Sequence, residues 1–113
     1  MDFAYNDEQK EIIKVVRDLV EKEIVPYAAE MDETGKLHEG LLEKLAAQGL
    51  LGVAIPEEFG GAGLDAITIA AIYEELGKGC AGVATTVAAN ALASYPVIIA
   101  GNDDQKKRYF DII

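Results

Sequence analysis

Tryptophan is absent from this 113-residue chain, and cysteine, histidine and serine occur once each. A single cysteine, Cys80, cannot close an internal disulfide and suits a reducing compartment. A single histidine, His38, has no Cys or second His to complete a metal site, so it reads as a surface residue at a helix start. Ser94 has no histidine or acid spaced to activate it, which excludes a nucleophilic triad. The pairs Glu57–Glu58 and Glu74–Glu75 are adjacent, and adjacent residues on a helix do not face each other, so Glu74–Glu75 is no acid/base dyad by position. Basic residues are scarce: 10 against 20 acidic ones, for a net charge of −10. That balance argues against nucleic acid and anionic membrane surfaces. The opening MDFAYNDEQK lacks the basic-then-apolar pattern of a secretory signal, so a cytoplasmic location is expected. Charge itself is missing from one stretch, Gly79 to Asn102.

That stretch reads GCAGVATTVAANALASYPVIIAGN. Ala84, Val87, Ala88, Ala91, Leu92 and Tyr95 recur at helical spacing, which predicts a buried helix over 81–94. Sheathed in alanine, it could be the central strut of a bundle or one wall of a slot for a thin apolar ligand. A membrane span would need fewer interruptions than Thr85, Thr86, Asn90, Ser94, Pro96 and Gly101. Cys80 reads as a small apolar filler beside this helix.

The rest of the chain is strongly patterned. Asn6 with Gln9 reads as a capping box, and Ile12, Val15, Val16, Leu19 and Val20 form an apolar stripe. Lys10, Glu11, Lys14, Arg17, Asp18, Glu21 and Lys22 cover the other face. The pattern predicts a helix of about five turns, ended or kinked at Pro26, with Val25 pushed away from helical angles. A short helical piece over Tyr27–Met31 and a turn over Asp32–Gly35 follow. The next helix begins near Glu39, buries Leu41, Leu42, Leu45 and Ala46, and ends at Gly49 as a left-handed cap. Gly52–Ile55 is a short apolar run, a brief strand at most, without a pairing partner.

Pro56–Gly63 is a turn-rich corner with Phe59 tucked inward. As a phosphate loop it lacks a preceding strand and a following Lys-Ser/Thr, and Glu57, Glu58 and Asp65 would repel an anion. Asp65 caps a third helix whose inner side is Ile67, Ala70, Ala71 and Leu76, with Glu74, Glu75 and Lys78 at its exit. Tyr95-Pro96 is expected to break the uncharged helix, leaving a short helix over Val97–Ala100 that Gly101 stops. Asn102 or Asp103 caps a last helix, Gln105–Ile113. There Tyr109, Ile112 and Ile113 point inward and Lys106, Lys107 and Arg108 outward. The whole reads as a single all-α domain, an orthogonal or up-down bundle of five to six helices.

Taken together, several segments resemble one family. DEQKEIIKVVRDLVEKEIVPYAAEMDETG is similar to the opening helix of acyl-CoA dehydrogenases. LLEKLAAQGLLGVAIPEEFGGAGLD resembles their second helix and Pro-Glu-x-x-Gly-Gly corner. IYEELGKGCAGVATTVAANALASYPVIIAGNDDQKKRYF resembles the next three helices. The resemblance runs from residue 3 to residue 113 and implies the N-terminal helical domain only, without the middle β-domain and C-terminal helical bundle. It implies an FAD-dependent, homo-oligomeric parent enzyme that dehydrogenates acyl-CoA thioesters and passes electrons to an electron-transfer flavoprotein. The catalytic glutamate and the flavin-binding segments would lie in the later domains, so this chain alone is expected to bind no flavin and to be inactive. In the family the helix matching 81–94 lines the inner end of the acyl-chain slot. Carried over, Ala88, Ala91 and Leu92 are wall candidates, with Thr85 and Tyr95 beside them. With alanine at 84 and 88, a charged substrate tail would be unpaired at a cost of at least several kcal/mol, so a plain saturated acyl chain is expected. A stand-alone helical interaction module, or a flavin oxidase or monooxygenase of the same fold, are the competing readings.

Overall fold

The computed structural model describes residues 1–112, and Ile113 lies outside them. Among the described residues the regular structure is wholly helical. The six α-helices are α1 (Asp7–Leu19), α2 (Ala28–Thr34), α3 (Leu41–Ala47), α4 (Ala66–Gly79), α5 (Ala81–Ala100) and α6 (Asp103–Ile112). They form a slab of 42 × 40 × 21 Å. Its thin dimension is about two helix diameters, so helices with one buried edge and wide exposed faces are built into the shape.

Local chemistry starts the helices as the sequence indicates. Asn6 Oδ1 accepts from Gln9 N–H while Gln9 Oε1 accepts from Asn6 N–H, a complete capping box. Asn102 and Gln105 repeat the same reciprocal pair at α6, which therefore starts at Asp103. Asp65 Oδ1 accepts from Thr68 N–H at 2.7 Å. Gly49 adopts φ +74°, the left-handed cap expected of it.

The α-helix gives way ahead of Pro26, as an ended or kinked helix would, but the chain does not become irregular there. A π turn over Val20–Ile24 and a 3-10 turn over Val25–Tyr27 carry the chain from α1 into α2, with Tyr27 at φ −113° and ψ 1° marking the junction. Val25 keeps helical angles of −53° and −45°, contrary to the sequence expectation, and its N–H reaches back five residues to Val20 O. This wider turn takes up the register that the proline ring would otherwise clash with. α2 then runs to Thr34, so the turn expected at Asp32 is helix and only Gly35, at φ +69°, leaves it. Residues 52–55 are not strand; a 3-10 turn over Leu50–Gly52 leads into further turns that bury Val53 and Ile55.

The core joins Val16, Val20 and Ile24 to Leu41, Leu45, Leu50, Ile72, Leu76, Val83 and Val87. α1 meets α4 through Ile13 and Val16, not through Val15, which is exposed. Two polar ties bracket that seam. Gln9 Nε2 donates to Thr68 Oγ1 at 3.1 Å, both buried. Arg17, expected on the wet face, donates to both Glu75 carboxylate oxygens at 3.2 and 2.9 Å. Glu75, 5% exposed, also accepts from Lys78. On α4 the inner side is Thr68, Ile69, Ala71, Ile72, Glu75 and Leu76, while Ile67 and Ala70 face outward. On α3, Leu41 and Leu45 are buried, but Leu42 and Ala46 are exposed.

Candidate functional site

The uncharged stretch is one 20-residue helix, α5. Pro96 sits inside it instead of ending it. The proline forfeits one ladder bond, to the Leu92 carbonyl, and costs about 3 kcal/mol in a helix interior. Val97 and Ile98 are half-buried beyond it, and Gly101 N–H closes on Val97 O, so packing and capping hold the last turn.

α5 is also less enclosed than a core rod. Its buried edge is Val83, Val87, Ala91 and Ser94, set against α4 and the 50–52 turn. Asn90 Nδ2 donates to Leu51 O at 3.2 Å and fixes that contact. The expected inner face was rotated: Val83 and Ser94 belong to it, whereas Leu92 and Tyr95 do not. A helix apolar on every side has almost no directional pattern, so spacing alone could not choose the edge.

The five candidates divide accordingly. Thr85, Ala88, Leu92 and Tyr95 follow one another at steps of three and four and share the outward stripe, which Ile99 extends. Leu92 is 74% exposed, Tyr95 42% and Ile99 80%. Thr85 is exposed and Ala88 half-buried at the stripe's margin. Ala91 is on the opposite edge, in the core.

The stripe's chemistry is almost purely apolar. Thr85 Oγ1 donates to Ala81 O at 2.9 Å and Thr86 Oγ1 to Gly82 O at 2.8 Å. Buried Ser94 donates to Asn90 O at 2.7 Å. Each of these three hydroxyls is thus spent on its own helix, so that of the stripe's polar groups only the Tyr95 phenol is not bonded back to α5. Past Pro96 a separate groove of about 630 Å³ lies between α5 and α6, lined by Val97, Ala100, Tyr109 and Ile112 together with Gln105 and Arg108. Ile112, expected inward, is exposed there, and Phe110 is the buried residue of α6. Phe110 stacks on Phe59 at 4.8 Å, which ties the glycine corner to α6.

An exposed stripe of Leu92, Tyr95 and Ile99 is the kind of surface that meets another apolar body. By length and composition α5 could cross a membrane, yet one whole edge of it is committed to the lobe's own core.

The glycine amides of the corner at 56–63 are already taken, and the amides left at its start belong to Glu57 and Glu58, whose charge repels an anion. Gly60 N–H bonds Glu57 O, Gly61 N–H bonds Pro56 O, Ala62 N–H bonds Gly52 O and Gly63 N–H bonds Ile55 O. A Cβ on Gly61 would lie 2.0 Å from Ile55 O, so the glycine is there for close backbone packing. These residues therefore do not fit a phosphate or flavin cradle, and no step through a flavin is derived from them. His38 stacks on Tyr27 with centroids 3.6 Å apart and lies partly buried, a packing role in place of the surface one expected. Among the described residues no three His, Cys, Asp or Glu side chains gather as a metal site.

The lobe is thin, and its most apolar helix keeps one edge in the core and carries an exposed stripe on the other. The chain belongs to the acyl-CoA dehydrogenase family: the family model described as "Acyl-CoA dehydrogenase, N-terminal domain" matches residues 6–112. It is 36% identical to a probable acyl-CoA dehydrogenase, YngJ, of Bacillus subtilis, over 96% of this chain and 29% of the relative. It is 38% identical to a 3-(aryl)acrylate reductase of Clostridium sporogenes, over 90% of this chain and 28% of that protein. The structure of butyryl-CoA dehydrogenase from Megasphaera elsdenii superposes with a TM-score of 0.84 at 32% identity, covering 97% of this chain and 30% of that one. The chain thus spans under a third of the length of these relatives.

Proposed function

We propose that the chain is the N-terminal lobe of an FAD-dependent acyl-CoA dehydrogenase, and that the outward stripe of α5 is a wall of the acyl-chain slot. The observation that carries this is the outward run Thr85, Leu92 and Tyr95, with half-buried Ala88 at its margin, on a helix without charge, in a domain the family model matches over residues 6–112. Hydrocarbon laid against this wall gains about 0.8 kcal/mol per buried methylene. Ala91 backs the wall from the core side and keeps α5 close to its neighbours. The alanines at 84 and 88 offer no partner to a buried charge, which favours an uncharged acyl chain over a dicarboxylate. The same reading carries an electron-transfer flavoprotein as acceptor and a homo-oligomeric enzyme in the cytoplasm. The catalytic base and the flavin site belong to the remainder, so the lobe alone binds no flavin and is inactive; a lobe purified with stoichiometric FAD would refute this.

The test is acyl-CoA binding to the whole enzyme and to its Ala88→Glu variant. A carboxylate brought against apolar chain should weaken long-chain binding roughly tenfold or more. Unchanged affinity would remove Ala88 from the wall. The relative named as an arylacrylate reductase favours a second reading, in which the whole protein runs the same chemistry toward the saturated acid. Reduction of an enoyl thioester or acid that outpaces the oxidation would establish that direction.

A further inference from the structure

We propose that the cleft between α1 and α4 binds a compact oxyanion of the phosphate class carrying at least two negative charges. The site is separate from the α5 stripe, and the inference stands independently of the acyl-slot reading.

The cleft has a volume of about 310 Å³ and is lined by Lys10, Lys14 and Arg17 from α1 and by Glu74, Glu75 and Lys78 from α4. Four of the chain's ten Lys and Arg side chains therefore meet at one concavity, in a protein of net charge −10. None of the acids on α1, Asp7, Glu8, Glu11 and Asp18, lines it.

Its charges do not balance. Glu75 accepts from Arg17 at 3.2 and 2.9 Å and from Lys78 at 2.8 Å. Glu74 lies 3.8 Å from the same Lys78. The two carboxylates are thus taken by Arg17 and Lys78, while Lys10 and Lys14 make no ion pair among the described residues. They stand one turn apart on α1, and like charges at that spacing destabilise a helix. Two unmatched ammonium groups beside a cavity favour a doubly charged anion within it.

Much of this arrangement is in place before a ligand arrives. Glu75 is 5% exposed, and its bonds hold Arg17 and Lys78 at the cleft. Arg17 spends Nε and Nη2 on Glu75, which leaves its Nη1 hydrogens for a second acceptor. Each lysine brings three donors, and Tyr5 lines the same space. A phosphate, with its several acceptor oxygens, engages more of these donors at once than a carboxylate with two. The volume is at the small end of ligand pockets, which suits a phosphate or pyrophosphate group and not a folded peptide segment.

The test is calorimetric titration of the whole protein with inorganic pyrophosphate at constant ionic strength. Saturable binding is expected, and the double variant Lys10→Gln, Lys14→Gln should weaken it roughly fivefold or more, since each change removes a charge-assisted contact. Both lysines are exposed, so the variant keeps its core. As a control, Lys22→Gln with Lys107→Gln removes the same charge from exposed positions outside the cleft and should leave the affinity unchanged. ADP, whose pyrophosphate carries an adenosine, is the second arm. Binding of both ligands, weakened by the cleft variant, supports the site with a nucleotide among its sources. Binding of pyrophosphate alone, weakened in the same way, supports it with the free anion as the source. No saturable pyrophosphate binding, binding that the cleft variant leaves unchanged, or equal weakening by the two double variants would each overturn the proposal.

Discussion

Gly77 and Gly79 lie two residues apart on α4, and alanine at the two positions should act with opposite sign. Around Gly77 an added Cβ meets nothing within 4 Å. The substitution there removes backbone freedom from the unfolded chain and should stabilise by about 0.5–1 kcal/mol. At Gly79 the same Cβ would sit 2.6 Å from Val20 Cγ1 and 3.0 Å from Ile24 Cγ2. Both side chains are buried in the π turn that precedes Pro26, so neither can swing clear. Overpacking of this kind costs about 1–3 kcal/mol. Set against the smaller entropic gain, the net is a loss of roughly 0.5–2 kcal/mol. For a domain of this size about 1 kcal/mol moves the midpoint by roughly 4 °C. Thermal unfolding followed by circular dichroism should therefore show Gly77→Ala higher by roughly 2–4 °C and Gly79→Ala lower by roughly 2–8 °C. A Gly79→Ala midpoint at or above wild type would mean that the π turn is not seated on the end of α4.

Glu75→Gln should cost about 1–3 kcal/mol at neutral pH. That is less than a fully buried pair loses, because Arg17 and Lys78 are half-exposed and can turn to water. The Arg17 hydrogen bond, helped by Lys78, holds the Glu75 carboxyl below its ordinary range against the opposing effect of burial. A depressed folded value means stability present above the unfolded pKa and lost as pH falls through the folded one. Acid unfolding profiles should thus be flatter for Glu75→Gln than for wild type, and parallel profiles would show that Glu75 does not titrate in that range. Asn102→Ala removes one half of the α6 capping box and should destabilise by about 0.5–2 kcal/mol in denaturant unfolding; no change would place the start of α6 elsewhere.

What could be read from the sequence was mostly local. Asn6–Gln9, Asp65 and Gly49 announce themselves because a cap depends on residues within one turn of it. The all-helical class followed from period, and the corner at 56–63 from its glycines and proline. What could not be read depends on contacts between distant segments. Pro96 looks like a break, but the end of α5 packs toward α6 and the helix runs through it, while at Pro26 a π turn seated against Gly79 replaces the loop a proline would suggest. Arg17 looks like surface until Glu75, 58 residues away, is brought under it. Leu92 and Ile67 look like core because they are apolar, yet both face outward. The candidate site was legible as a helix and not as a face: its composition pointed to α5, but only the packed lobe shows that Ala91 turns inward while Thr85, Ala88, Leu92 and Tyr95 share the open side.

The most direct check on that open side is chemical accessibility at Leu92 in the whole enzyme. With Cys80 replaced by alanine, cysteines are placed singly at Leu92 and, as a control, at exposed Asp18 on α1. Alkylation of the position-92 thiol should slow roughly tenfold or more when a long-chain acyl-CoA is bound, because slots bury most of a ligand's surface against their walls, while the position-18 thiol should not respond. Equal labelling at position 92 with and without acyl-CoA would contradict the assignment of α5 as the acyl wall.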